Sequence, residues 1–342
     1  MKTFIDNNGI FEIKVPSSWK YSLKDGKVHT FQEYDIWQAD AFQISIRPIS
    51  DANHKAQFEA RSARLPTTKV GEQTLFSLPD FFHPNVGKGE HTTTNWISVI
   101  DNNIVIFTLT HSTNGVEDKP LGKKMQVALD AIATFELIPA VDAQKRLNHY
   151  RFTMFLQGVG ATALMLSRAV SNKAFIEATC VIGNQIDALL RIGIVLKKQL
   201  INNSSDIELE WIYQGLSDKK KSEKTIYDEA EKLGVITASI KIKLYELYED
   251  RNRVVHRFII SEITVAEIED IAFNYHKLCE QINKVIYDLE EEQIKLKVGM
   301  TVKGGSNQDE AEALEFIMGK VGKDNYFDDV SNDVESNTDT QT

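Results

Sequence analysis

Two hydrophobic periods divide the chain. Over the first 138 residues apolar and polar side chains alternate, the period of a half-buried strand. Phe11, Ile13 and Val15 alternate up to Pro16, and Phe42, Ile44 and Ile46 repeat the pattern before Pro48. Residues 96–100 and 104–110 are apolar and β-branched on either side of Asp101-Asn102-Asn103, which predicts a hairpin. Residues 52–64 are polar enough for a surface helix, residues 121–133 have helical spacing, and residues 135–138 read as a short strand. The order predicts an α+β domain, an antiparallel sheet with helices on one face.

Helical spacing takes over after a linker expected at residues 139–142. Residues 144–169 and 173–200 predict two long helices, with Ser171-Asn172 as the cap between them. The second carries Phe175, Ile176, Thr179, Ile182, Ile186 and Leu189 in one stripe, with Glu177, Asn184, Asp187 and Arg191 on its other edge. Shorter helices are expected at residues 211–215, 219–233 and 238–258. Thr264-Val265-Ala266-Glu267 is a capping box that opens a last helix. Residues 143–293 therefore read as an all-α helical bundle. Residues 294–342 are rich in Gly, Ser, Asn and Asp and read as a mobile acidic tail, within which Ala311, Leu314, Ile317, Met318 and Val321 have the spacing of a short docking segment.

One residue breaks the pattern of the helix at 238–258. Ile240, Leu244, Leu247, Val254, Val255 and Phe258 fall in one stripe, and Arg251 lands near its centre. Arginine is almost never buried unless paired, so this cation needs a carboxylate from its own or another helix, or a functional reason. Asn252 and His256, four residues apart, are neighbours on the shoulder of the stripe.

Arg251, Asn252 and His256 resemble the R-N-x-x-x-H signature of the HEPN superfamily, helical ribonucleases of toxin–antitoxin, CRISPR and antiphage systems. The resemblance covers somewhat less than half the chain. It implies a metal-independent endoribonuclease that needs no cofactor, acting as a homodimer in which two copies of the motif meet across a cleft. Histidine titrates near neutral pH, arginine matches phosphate oxygens with a fixed fork, and asparagine can orient either partner. Attack by the RNA 2′-OH would leave a 2′,3′-cyclic phosphate and a 5′-hydroxyl. The competing reading is a non-catalytic HEPN-like interaction protein whose N-terminal domain binds a protein partner.

Charge bears on this through its location. The net charge of −10 is concentrated in residues 304–342, where ten acidic residues face only Lys320 and Lys323, so the body is close to neutral. Lys241, Lys243, Arg253 and Arg257 surround the motif as candidate phosphate contacts. Their plain alternative is a solvated face, since Glu246, Glu249 and Asp250 lie among them. Glu177, Asn184 and Asp187 are candidates for supporting the cleft, with buried polar packing as their plain alternative. The tail or the N-terminal domain is a candidate site for a protein partner or inhibitor.

No metal-ligand spacing links the eight histidines and two cysteines. Gly87-Lys88-Gly89 and Lys303-Gly304-Gly305-Ser306 lack the full phosphate-loop pattern. Cys180 and Cys279 read as free thiols of a reducing compartment. The absence of a signal peptide pattern and of a long apolar span in residues 152–166 predicts a cytoplasmic protein without membrane contact. The opening Phe11-Glu12-Ile13-Lys14-Val15-Pro16-Ser17-Ser18-Trp19 resembles the start of PsbP-like and DcrB-like domains, and that resemblance implies a sensing or docking module.

Overall fold

The computed structural model describes residues 1–33, 41–78, 91–112, 121–214, 221–303 and 317. It divides into two compact units, residues 1–147 and 148–342.

The first unit holds two antiparallel sheets. β1 (Lys2–Ile5), β2 (Phe11–Val15) and β10 (Glu136–Leu137) form a three-stranded sheet with β2 in the middle. Seven strands form the larger sheet: β3 (Trp19–Lys24), β4 (Val28–Glu33), β5 (Ala41–Pro48), β9 (Asn103–Ser112), β8 (His91–Ile100), β7 (Gln73–Leu78) and β6 (Thr67–Val70), in that order. The alternation read at Phe11, Ile13 and Val15 places all three in the core, each with no exposed surface. β8 and β9 pair from Ile100 opposite Asn103, closed by Asp101 and Asn102. Both have positive φ (45° and 65°), the backbone a two-residue hairpin turn requires and Asn and Asp tolerate. Strands β3, β4, β6 and β7 have polar stretches too mixed to stand out by alternation.

Helix α2 (Leu121–Ile132) buries Ala128, Ala131 and Ile132 in a core with Leu75, Phe42 and Phe107. Helix α1 (Ala52–Ser62) sets Phe58 edge-on to Phe76. Phe76 follows Leu75 directly and so belongs to the opposite face of the strand. The unit is thus an α+β domain built on antiparallel sheets, as the alternation predicts.

The linker expected at residues 139–142 is helical. Helix α3 runs from Ala140 to Ser171 without a break, the single Pro139 carbonyl accepting from the backbone N–H of both Asp142 and Ala143. Its end is also made differently from the expected Ser171-Asn172 cap. Lys173 turns into the left-handed region (φ 54°), and the backbone of Ala174 bonds back to Ala169.

The second unit is a bundle around α4 (Phe175–Asn202), whose main partner is α8 (Val265–Leu296). The expected capping box opens α8: Glu267 N donates to Thr264 Oγ1 and Thr264 N to Glu267 Oε2. Between them lie α5 (Leu209–Ile212), α6 (Glu223–Lys232) and α7 (Ala238–Arg257), followed by a 3-10 turn at Phe258–Ile260. The sequence reading takes residues 152–166 as the most apolar window and as too short to span a membrane; instead, an 18-residue window of helix α4 is long and apolar enough to cross one by length and composition. Of that window 61% is buried inside the unit, where Ile186, Leu190, Ile194 and Leu196 have no exposed surface.

The bundle also extends past residue 293. Gln293 Nε2 donates to Leu196 O and Gln199 Oε1, while its Oε1 accepts from the backbone and hydroxyl of Thr301. Gly299 (φ +95°) permits this return, since a Cβ there would stand 2.2 Å from Gln293 Cδ. The expected mobile acidic tail lies outside the described residues from 304 onward, apart from Ile317, which packs close to Gly160. The loop glycines at 87 and 89 and the Gly304-Gly305 segment are outside them as well.

Candidate functional site

Helix α7 is capped by Thr237, whose hydroxyl accepts from Ile240 N, and it buries Leu244, Leu247 and Val254. These residues pack in the core of their own unit, with Ile240 against them. The part of the stripe around Arg251 is thus filled from within the unit, against α4, α6 and α8, while Val255 and Phe258 at its end are exposed.

Arg251 is held there by a residue that the sequence reading did not single out. Its Nη1 donates to both carboxylate oxygens of Glu223, on α6, at 2.7 and 2.8 Å. The two side chains are only 14% and 24% exposed. Tyr227, one turn further along α6, donates to Glu223 Oε2 at 3.1 Å. The guanidinium lies over the Tyr248 ring at 5.0 Å. Gly183 on α4 supplies the space, since a Cβ at that position would stand 3.2 Å from Nη1. Burial alone would lower the Arg251 pKa, but the hydrogen bonds and charge of Glu223 outweigh it and raise the value. The cation in the seam is therefore an ion pair with a carboxylate of another helix, the plain alternative for this residue. Glu223 follows the N-cap Ser222, where an acidic residue reads as an ordinary companion of the helix dipole, and this hides it in the sequence.

Asn252 stays with Arg251: Nη2 donates to its Oδ1 at 3.4 Å, a long bond. His256, in the last turn of α7, is exposed. The apolar residues that follow the motif are exposed too. Ile259 is 93% and Ile260 80% exposed, with Val255, Phe258 and Val265 beside them in sequence and also open to solvent. Runs of this kind usually mark an interaction site.

The expected basic patch is neutralised in part. Lys241 bonds Glu231 at 3.0 Å and lies 3.5 Å from Asp228, and Arg253 pairs loosely with Asp250 at 3.7 Å. Lys243 and Arg257 are exposed. Lys243 lines a groove of about 310 Å³ with Lys277, Asn274, Glu246 and Asp250, a mixed lining that does not favour anions.

Of the three residues considered as support, Glu177 and Asn184 are exposed. Asp187 is partly buried and bound to Arg191 at 2.6 Å, and Arg191 in turn donates to the carbonyl of Trp211. Its Oδ1 is buried without a hydrogen-bond partner. Burial raises the Asp187 pKa against the opposing pull of Arg191. Cys180 and Cys279 are both free thiols, and burial pushes Cys279 up to about 11. Among the described residues no three His, Cys, Asp or Glu side chains group as metal ligands.

No family model matches the chain, and no curated protein matches it in sequence. A crystal structure from Bacteroides thetaiotaomicron matches over 59% of this chain and 78% of its own, with 17% identity and a TM-score of 0.29. A solution structure of cyanobacterial PsbP from Synechocystis matches over 40% of this chain and 92% of its own, with 11% identity and a TM-score of 0.26. The likeness to PsbP is a weak one of fold in the N-terminal part, and at these scores neither match bears on a site or an activity.

Proposed function

We propose that the helical unit is a metal-independent endoribonuclease, completed by a second copy of the chain and serving as an antiphage or toxin effector. The observation that carries this reading is the exposed His256 set beside an exposed apolar run, Val255, Phe258, Ile259 and Ile260. A monomer gains nothing from leaving two isoleucines in water. An isologous contact there would bury them and bring two His256 side chains toward each other, giving an acid and a base from one residue type. Asn252 orients an imidazole or a phosphate oxygen. Arg251, already half-neutralised, anchors the motif, and Arg253, Arg257 and Lys243 supply phosphate contacts. The N-terminal unit, on this reading, is the sensing or docking part.

Purified protein incubated with total RNA in chelator is expected to give 2′,3′-cyclic phosphate and 5′-hydroxyl ends. His256→Ala should lower the rate by about 10²–10⁴. Cleavage that needs Mg²⁺, or persists undiminished in His256→Ala, removes the motif from the chemistry.

A second reading rests on the Arg251–Glu223 pair itself, which accounts for the buried cation with no substrate at all. In that case the bundle is an interaction module of HEPN-like form, the apolar run binds a protein, and the wild-type protein leaves RNA intact.

A further inference from the structure

The grip of Glu223 on Arg251 is one-sided. A carboxylate binds a guanidinium most strongly side by side, each oxygen taking a different nitrogen. Here both oxygens sit on Nη1, at 2.7 and 2.8 Å, and Nη2 turns to Asn252 Oδ1 instead. Glu223 is itself fixed from behind by the Tyr227 hydroxyl, whose own ionisation is pushed far up by burial and by the Glu223 charge. Tyr227 therefore stays a donor at any working pH. Gly183 closes the opposite side without filling it. Arginine–carboxylate pairs frequently use the stronger two-nitrogen geometry. This one holds the arginine by a corner and leaves its Nη2 edge joined to the neighbouring motif residue.

We infer that Glu223 is a positioning residue for the site proposed above, acting through Arg251 to fix Asn252 and the last turn of α7 that carries His256. The inference rests on the ribonuclease reading. Glu223 touches no substrate; it sets the angle at which the Arg251–Asn252 edge is presented. The sequence hides it because the pair joins residues 28 apart on two helices.

The test uses the full chain and three variants: Glu223→Asp, Glu223→Gln and the charge swap Glu223→Arg/Arg251→Glu. Each is assayed for RNA cleavage in chelator well below its own melting temperature. Glu223→Asp keeps the charge but withdraws the carboxylate by one methylene, a displacement on the scale that costs about 10²-fold in rate. The loss should appear in kcat with little change in KM. Glu223→Gln should show a similar fall in kcat. The charge swap should recover the melting temperature lost in the single variants; it reports on the pair alone, since it also removes Arg251 from the motif.

A purely structural pair behaves differently. Glu223→Asp would then cleave at the wild-type rate while folded, and that result overturns the inference. If the variants lose cleavage but wild-type protein cleaves only with Mg²⁺ or independently of His256, the ribonuclease reading fails separately. A wild-type protein that never cleaves overturns both, since no reaction remains for Glu223 to position.

Discussion

The two units solve the problem of a buried charge in opposite ways. In the sheet unit Asp6 is 1% exposed and is satisfied by the turn that follows it: Asn8 N donates at 3.1 Å, and Ile10 N and Phe11 N reach its other oxygen. In the helical unit Arg251 must draw Glu223 from another helix. The difference follows from the backbone. A tight turn between strands leaves N–H groups free to meet a nearby carboxylate, whereas inside a helix every N–H is already spent on the carbonyl four residues back. Turns can neutralise charge locally; bundles must do it across the fold. Around these charges the cores also differ, the sheet unit stacking rings such as Phe42 and Phe107 at 6.2 Å, the bundle packing mostly Ile, Leu and Val.

The largest expected effect breaks the cross-helix pair. Glu223→Ala or Arg251→Ala each leaves a poorly exposed charge without its partner, worth about 3–5 kcal/mol in urea melts. Replacing both with Leu and Met of similar volume should return stability to near the wild-type value or above it. The sequence alone implies that removing a desolvated Arg251 relieves the bundle; with Glu223 behind it, removal strands a carboxylate instead. A double variant whose loss equals the sum of the two single losses would mean that the pair carries no coupling.

Asp6→Ala tests the local solution. It leaves turn N–H groups unmatched and should cost about 1–3 kcal/mol, with the loss confined to the sheet unit by hydrogen exchange. Acid should act more weakly and in the same unit. His29 is 7% exposed and hydrogen-bonded to the Tyr21 hydroxyl at 3.0 Å. Burial lowers its pKa, with the Asp6 charge opposing. Well above the ordinary histidine value of about 6.5 the ring is neutral in folded and unfolded chains alike, and its full contribution is present. As pH falls below that value the unfolded chain takes up the proton first, and stability is lost until the folded pKa is passed. His29→Gln should flatten this slope; an unchanged slope would assign it elsewhere. The smallest change in stability, within about 0.5 kcal/mol, is expected for Ile259→Asp on the exposed run. Sedimentation should nevertheless show less self-association than the wild type, and identical profiles would take Ile259 out of any interface.

What the sequence revealed follows the same division between local and distant causes. The β8–β9 hairpin, the Thr264–Glu267 capping box and the strand at Phe11, Ile13 and Val15 are fixed by residues within a few positions of each other, and periodicity finds them. The anomaly of Arg251 was legible because it interrupts a stripe. Its answer was not, because Glu223 is 28 residues away and looks like a routine helix-start acid. The expected linker at residues 139–142 failed for a related reason: Pro139 reads as a breaker, but proline is equally at home at the very start of a helix, where its missing N–H costs nothing. The neutralised lysine at 241 depends on Asp228 and Glu231 of α6, again a pairing that spacing along one helix does not display.

The amide of Gln293 sets where the folded chain can safely be cut. All four of its bonding positions are used, two as donor toward α4 and two as acceptor toward Thr301, so the wiring runs one way only. Glutamate at 293 would point a charged oxygen at the Leu196 carbonyl, and a chain ended at residue 293 would discard both incoming donors. A shortened protein meant to probe the acidic region has to keep Lys303, two residues beyond Thr301. Cut earlier, it reports on an unravelled helix end and says nothing about the charge that was removed.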